Sequence, residues 1–247
     1  MILKILSYPL SILFIGSFFL GLIVFHPIQW FCFNVFGYSA HKKCVDIMNI
    51  YLMRCLHILG TRITLKQNYK IETQDRPLII VSNHQSMFDI SPLGLLFKKN
   101  HPKYVSKIEL GKRIPSISYN LNHGGSVLID RKNAKQSLSA LMRFGKYIEK
   151  NKYAAIIFPE GTRSKDGRMK PFKTKGLEVL LKKIPSALIV PVTINNSWKI
   201  VRYGTFPMGL GNHLKITSHK PLELTNFAST QELIDRLYST IEEGLDH

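Results

Sequence analysis

With 247 residues, the chain is long enough to bury a sizeable core in one α/β domain plus an appendage, and too short for two large independent domains. Its 34 Lys and Arg against 16 Asp and Glu leave a formal net charge of +18, which directs it towards anionic partners such as nucleic acid, anionic lipid headgroups or phosphorylated substrates. The three cysteines, Cys32, Cys44 and Cys55, include no C-x-x-C pair and read as buried apolar thiols in a reducing compartment, although an odd thiol can still be reactive; a disulfide framework or zinc site is not indicated.

No charged residue lies between Lys4 and Lys42, and within that span "ILSYPLSILFIGSFFLGLIVF", Ile5 to Phe25, is almost wholly apolar. As a helix this run is roughly 30 Å long, about the thickness of a bilayer core. A cleaved signal peptide fits least, because the run is long and no small-residue cleavage pattern follows it. A spanning helix and a helix embedded in one leaflet both fit, Pro9, Gly16 and Gly21 permitting a bent form, and a buried helix of a soluble protein is the plain alternative. From Ser39 to Gly60 the pattern becomes amphipathic, with Val45, Met48, Leu52, Cys55, Leu56 and Leu59 at helical spacing and Gly60 as a stop. His41 and Asp46 form a His-x4-Asp in the first turns of this helix. No strand precedes them and no basic or glycine-rich loop surrounds them, so they read as solvated or interfacial residues on a membrane-associated support. Residues 1–60 are thus expected to be membrane-associated helices and 61–247 an α/β domain.

Beyond residue 60, short apolar runs alternate with helical patterns. "PLIIVS" (Pro77 to Ser82), "GSVLID" (Gly125 to Asp130), "AAIIFP" (Ala154 to Pro159) and "ALIVPVTI" (Ala187 to Ile194) read as strands. Helices are expected near 87–99, 133–150, 173–183 and 230–243. The alternation predicts an α/β fold, a mixed and largely parallel sheet flanked by helices.

In such sheets ligand groups gather on the loops beyond the carboxyl ends of strands. His84, with Asp89 five residues on, follows "PLIIVS"; Glu160, Gly161, Thr162 and Arg163 follow "AAIIFP"; Asp130 and Arg131 end "GSVLID". Three loops of suitable chemistry therefore meet one sheet edge, which separates His84 from His41. Ser86, inside the motif, reads as a helix cap, because no G-x-S-x-G accompanies it.

"NHQSMFD" and "FPEGTRS", in this order, resemble the glycerolipid acyltransferase family, in particular the 1-acylglycerol-3-phosphate acyltransferases. "GSVLIDR" and "LIVPVTI" are similar to that family's second and fourth blocks, so the resemblance spans roughly residues 60–220. "PFKTKG", Pro171 to Gly176, departs from the pattern by one extra residue and leaves open which of Lys173 and Lys175 would reach a phosphate. The resemblance implies acyl transfer from an acyl-CoA or acyl-carrier-protein thioester, as co-substrate, to a lysophospholipid hydroxyl. It implies His84 as general base and Asp89 as its orienting carboxylate. Arg163, with Lys107, Arg131, Glu160, Gly161 and Thr162, would form the acceptor-phosphate site. No metal or redox cofactor is expected. The expected partners are membrane lipid, the lysophospholipid acceptor and the thioester donor, with the catalytic domain on the cytoplasmic side of the membrane. Alternatives are acylation of another lysophospholipid or a lyso-aminolipid and, from a different class, a non-catalytic lipid- or nucleic-acid-binding protein. Against nucleic acid, the chain has no recognised binding motif and no aromatic stacking platform.

Overall fold

A computed structural model of the chain describes residues 2–69, 71 and 76–246. Helix α1 (Ile2–Phe36) contains Pro9 and Pro27 and is, among the described residues, the one helix long and apolar enough to cross a membrane. It joins α2 (Tyr38–Cys55) through Gly37 alone, whose φ of 78° lies in the left-handed region that glycine enters without steric cost. A 3₁₀ turn, Leu56–Leu59, extends α2 as far as Gly60, the stop read from the sequence.

The sheet contains β1 (Arg62–Gln67), β2 (Leu78–Ser82), β3 (Pro102–Lys107), β4 (Val127–Ile129), β5 (Ala154–Ile157), β6 (Leu188–Asn195), β7 (His213–Ser218) and β8 (Leu222–Glu223). Its order is β1-β7-β6-β2-β5-β3-β4, with β8 on β6. Strands β6, β2, β5, β3 and β4 are mutually parallel, whereas β7 and β8 run antiparallel to β6 and β1 runs parallel to β7. The remaining helices are α3 (Ile90–Leu96), α4 (Ile117–His123), α5 (Ala134–Asn151), α6 (Thr174–Lys183) and α7 (Thr230–Glu243). This is the mixed, largely parallel α/β arrangement expected.

Every residue of β2 is buried, as a central parallel strand with helices on both faces requires, and this is why its sequence is a continuous apolar run. Leu78 and Ile80 face a core shared with Phe14, Cys55, Leu56 and Leu59, while Ile79 and Val81 face a second core with Leu141, Phe144, Ile148, Leu177 and Leu237. The N-terminal helices therefore share the core of the α/β domain, and no break in packing occurs at residue 60.

Three differences from the sequence reading have physical causes. Strands β1, β3 and β7 interleave polar or basic residues with apolar ones, and half or more of the side chains in each are at least partly exposed, so no apolar run marks them. The helix expected near 87–99 is split into a 3₁₀ turn (Met87–Asp89), α3 and a second 3₁₀ turn (Lys98–Asn100). His41, expected to be solvated or interfacial, is instead 1% exposed, because Phe33 of α1 and Tyr119 of α4 close over its ring at centroid distances of 5.4 and 5.9 Å.

Candidate active site

The site starts where β2 ends. Ser86 caps the 3₁₀ turn that follows, its Oγ accepting from the Phe88 N–H at 3.1 Å, and Asp89 Oδ2 accepts in return from the Ser86 N–H at 2.9 Å. This capping box turns Asp89 back towards the strand end, where Oδ2 also receives the Gln85 N–H at 2.8 Å and His84 Nδ1 at 2.9 Å. The spacing of five thus reflects one residue at a strand end and another at the close of the capped turn. Oδ1 accepts from Ser86 Oγ at 3.3 Å and from Ser197 Oγ beyond β6. A carboxylate only accepts, so Nδ1 carries the imidazole proton and Nε2 keeps its lone pair. The side chain of Asp89 is 0% exposed and that of His84 is 18% exposed, so the carboxylate is buried behind a histidine that opens onto the cavity. The His84 ring lies flat on Phe158, with centroids 4.2 Å apart and planes 19° from parallel.

The loop after β5 holds the backbone of His84 from both sides. Glu160 Oε1 accepts the His84 N–H at 2.7 Å, Oε2 accepts the Lys170 N–H at 2.9 Å, and the Ser164 N–H donates to the His84 carbonyl at 2.8 Å. Burial pushes the Glu160 carboxyl above its ordinary range, and the two N–H donors oppose that shift. Gly161, at a φ of 70°, permits the turn that places Glu160 beneath the loop. From β6, Ile194 bonds both ways with the Asn83 side chain at 2.7 and 2.8 Å, and the Ser197 N–H donates to Gln85 Oε1 at 3.1 Å.

A cavity of about 1670 Å³ opens above these groups. His84, Lys107, Arg131, Gly161, Thr162 and Arg163 all line it, so the structure brings together the sequence candidates except two: Asp89 and Glu160 lie behind the wall as supports. Lys107, Arg131 and Arg163 are all exposed; Arg131 donates to the Gly161 carbonyl, and partial desolvation there lowers its pKa. Both Lys173 and Lys175 reach the wall, and Lys173 lies over Gly161, where a Cβ would sit 3.4 Å from its Cδ. Between the two N-terminal helices the wall is apolar, with Phe14, Phe18 and Leu22 of α1 and Val45, Met48 and Leu52 of α2. The volume exceeds the roughly 300–1,000 Å³ of a drug-sized site, which leaves room for long-chain ligands. Among the described residues no group of three or more His, Cys, Asp or Glu could hold a metal.

Sequence reasoning missed Asn83, Gln85, Ser164 and Ser197. Ser197 left one usable signal, the polar "NNS" directly after the apolar run of β6 at the same sheet edge.

A histidine held by a buried carboxylate, beside clustered cations and above a long apolar cavity, is the set of groups that acyl transfer to an anionic acceptor requires. The acyltransferase family model matches residues 61–195, more than half of the chain, and the protein belongs to that family. It is 31% identical over 187 residues, 75% of this chain and 49% of the relative, to the chloroplastic 1-acyl-sn-glycerol-3-phosphate acyltransferase of Arabidopsis thaliana named LPAT1. It is 34% identical over 149 residues, 59% of this chain and 53% of the relative, to the 1-acyl-sn-glycerol-3-phosphate acyltransferase of Helicobacter pylori. The chain spans about half the length of these relatives. The crystal structure of the 1-acyl-sn-glycerophosphate acyltransferase PlsC from Thermotoga maritima superimposes with a TM-score of 0.76 at 25% identity, covering 98% of this chain and 96% of that one.

Proposed function

We propose that the protein transfers a fatty acyl group from a thioester, on coenzyme A or acyl carrier protein, to the free hydroxyl of 1-acyl-sn-glycerol-3-phosphate, giving phosphatidic acid. The observation that carries this reading is the His84–Asp89 pair, held at 2.9 Å on the wall of a cavity that also presents Arg163, Arg131 and Lys107. The names of the relatives support the acceptor.

An alcohol is a weak nucleophile at neutral pH. As its oxygen attacks the thioester carbonyl, His84 Nε2 takes its proton, a contribution of roughly 10²–10⁴ in rate. Asp89 holds the ring and stabilises the imidazolium, and collapse of the tetrahedral intermediate expels the thiolate, which the imidazolium protonates. The nucleophile is the substrate itself; Ser86 Oγ is occupied as a cap. Arg163 supplies a planar fork for two phosphate oxygens, and Arg131, Lys107, Lys173 and Lys175 add charge around it.

For the membrane, we place α1 in one leaflet and the catalytic domain on the cytoplasmic side. At 1.5 Å per residue α1 is roughly 50 Å long, well beyond a hydrocarbon core of about 30 Å. Polar contacts tie it to the rest of the protein along its length: Ser11 Oγ accepts from the Met208 N–H (2.7 Å), the Ser17 carbonyl from Tyr51 (3.0 Å) and the Leu22 carbonyl from Ser116 (2.6 Å), while Asn34 donates to Tyr119 (3.0 Å). A helix bonded in this way lies along its domain. Its outer face exposes Ile12, Phe19, Ile23, Trp30 and Phe36, suited to lipid, and the basic domain suits the anionic cytoplasmic surface.

The test is a product assay. Purified protein in bilayers receives a panel of lysolipids, with acyl-CoA and acyl carrier protein donors in parallel. Phosphatidic acid is the expected main product. Faster acylation of a phosphate-free or zwitterionic acceptor, or no acyl transfer at all, would overturn the proposal.

A further inference from the structure

Five donors converge on the Asp89 carboxylate, and its two oxygens are supplied from different places. Oδ2 takes His84 Nδ1 and the Gln85 and Ser86 N–H groups at 2.9, 2.8 and 2.9 Å, all of them from the strand end and the capped turn that Asp89 itself closes. Oδ1 has two hydroxyl neighbours, Ser86 and Ser197. The Ser86 contact, at 3.3 Å, lies beyond the usual O–H···O range of about 2.5–3.0 Å, and that hydroxyl also serves as the cap for the Phe88 N–H. Ser197 is therefore the group that completes Oδ1.

Ser197 comes from the neighbouring strand. β6 pairs in parallel with β2, so both strands end at one sheet edge. Asn196 follows β6 at a φ of 66°, a left-handed conformation that asparagine adopts more readily than most residues, and Ser197 opens the 3₁₀ turn Ser197–Val201 behind it. That bend aims two donors of one residue at the loop after β2: the N–H at Gln85 Oε1 (3.1 Å) and the hydroxyl at Asp89 Oδ1. An ionised carboxylate only accepts, so the hydroxyl donates. Ser197 is 0% exposed and is not on the cavity wall, so it acts on Asp89 and not on a ligand.

We propose that Ser197 is a positioning residue for acyl transfer: its hydrogen bond to Oδ1 holds the Asp89 carboxylate in register with His84 and limits how readily the imidazole takes a proton. This deepens the acyltransferase reading and rests on it. The sign follows from which state needs the donor more. When His84 is neutral, Asp89 is a buried charge that only its hydrogen bonds stabilise; when His84 is an imidazolium, the ion pair shares that task. Loss of the Ser197 donor penalises the neutral-histidine state more, so His84 becomes protonated at a higher pH. A base that is already protonated cannot accept the proton of the acceptor hydroxyl, and activity near neutral pH falls.

The experiment titrates the full chain, carrying isotope-labelled histidine in detergent micelles, by NMR, and the signal missing from His84→Ala identifies His84 among the nine histidines. Ser197→Ala is expected to raise the His84 midpoint by about 0.5–1 pH unit, the part of a lost hydrogen bond to a charged group that reaches the ring. The acid limb of kcat/KM should move by the same amount, with the acceptor KM within about twofold, because no contact to substrate is removed. Ser197→Thr keeps the hydroxyl and should hold the midpoint within about 0.2 unit of the wild type. In the Asp89→Asn background Ser197→Ala should leave the midpoint where it was, since the carboxylate that carries the effect is gone. A midpoint that stays within about 0.2 unit in Ser197→Ala, whatever happens to the melt, makes Ser197 merely structural and overturns the proposal. A full shift in the Asp89→Asn background overturns the route through Asp89, and the proposal with it. Either result leaves the acyltransferase reading intact. No acyl transfer by the wild type overturns that reading, and with it the role assigned to Ser197, even where the midpoints behave as expected.

Discussion

Glu160→Gln separates support of the His84 backbone from contact with substrate. Both Glu160 oxygens accept backbone N–H groups, from His84 at 2.7 Å and from Lys170 at 2.9 Å, and the side chain is not on the cavity wall. A glutamine retains one acceptor and turns an NH₂ group against the other N–H. Losing one hydrogen bond to a charged group removes about 1.5–3 kcal/mol, and the retained bond becomes a weaker neutral one. For a chain of this size, 1 kcal/mol shifts the melting midpoint by about 2–4 °C, so a fall of about 3–12 °C is expected. Because the lost bond fixes the His84 backbone, a displacement of the order of 1 Å at Nε2 should lower turnover by up to about 10²-fold. KM for the acceptor should stay within about twofold, since no ground-state contact is removed. Steady-state kinetics with the acceptor varied, alongside thermal melts, decide the matter. An unchanged kcat with a raised acceptor KM would refute the reasoning and return Glu160 to the substrate.

His84→Ala should cut turnover by roughly 10²–10⁴ with little change in the melt, whereas Asp89→Asn should lower both, because an amide would face the Gln85 and Ser86 N–H groups; kcat and melting curves on the same preparations check this. Arg163→Ala and Arg163→Lys should each lower kcat/KM on lysophosphatidic acid by about one to two powers of ten and hurt a zwitterionic lysolipid much less; equal losses on both acceptors would make Arg163 a loop support. Lys103, pushed down to about 7 from 10.5 by burial and by Lys42, with Asp46 opposing, binds fewer protons folded than unfolded across that interval. The wild type should therefore gain stability relative to Lys103→Met as pH rises from about 7 towards 10, seen as a pH-dependent difference in denaturation midpoint, and a flat difference would contradict the burial argument. Deleting residues 1–38 should abolish activity even towards a detergent-dispersed short-chain acceptor, since Phe14 leaves the core with the helix; full activity on that acceptor would make α1 a detachable anchor.

The legible parts of the sequence were those whose signals are local. Strands β2, β5 and β6 are apolar runs because helices cover both faces of the sheet, and the polar residues after each stand at one edge. The His84–Asp89 pair was readable for the same reason, since its capping box closes within a few residues. The edge strand β1 and the antiparallel β7 carry mixed patterns, because every side chain of β1 and every second one of β7 remains at least partly exposed. Contacts between distant segments left still less trace. Ser197 reaches Asp89 across 108 positions of sequence, and His41 is covered by Phe33 of α1 and Tyr119 of α4, so neither its burial nor its place on the cavity wall appears in its neighbours. Glu160 lay inside a recognisable block, but the block's chemistry suggested a ligand, and only the geometry shows a clamp on the histidine backbone.

The same geometry couples the apolar helix α1 to the turn that carries Asp89. Phe14 of α1 is 1% exposed and meets Phe88 edge-on at 5.5 Å, and Phe18 meets the same ring at 5.9 Å; Phe88 is the chain neighbour of Asp89. Phe19, one residue further on, is 51% exposed and yet also lines the cavity. One helix therefore presents side chains to the surroundings, to the cavity and to the residue beside the orienting carboxylate within two turns. Because interiors are close-packed, a shift of α1 cannot be absorbed between Phe14 and Phe88 without moving one of them. An acceptor whose acyl chain lies in the same leaflet as α1 would follow Phe19 and Phe18 into the cavity without leaving apolar surroundings, its phosphate meeting Arg163 and Arg131 only at the end of that path. On the proposed reading the apolar chain and the charged head would then meet different walls of a cavity that is basic at the sheet edge and apolar beside α1.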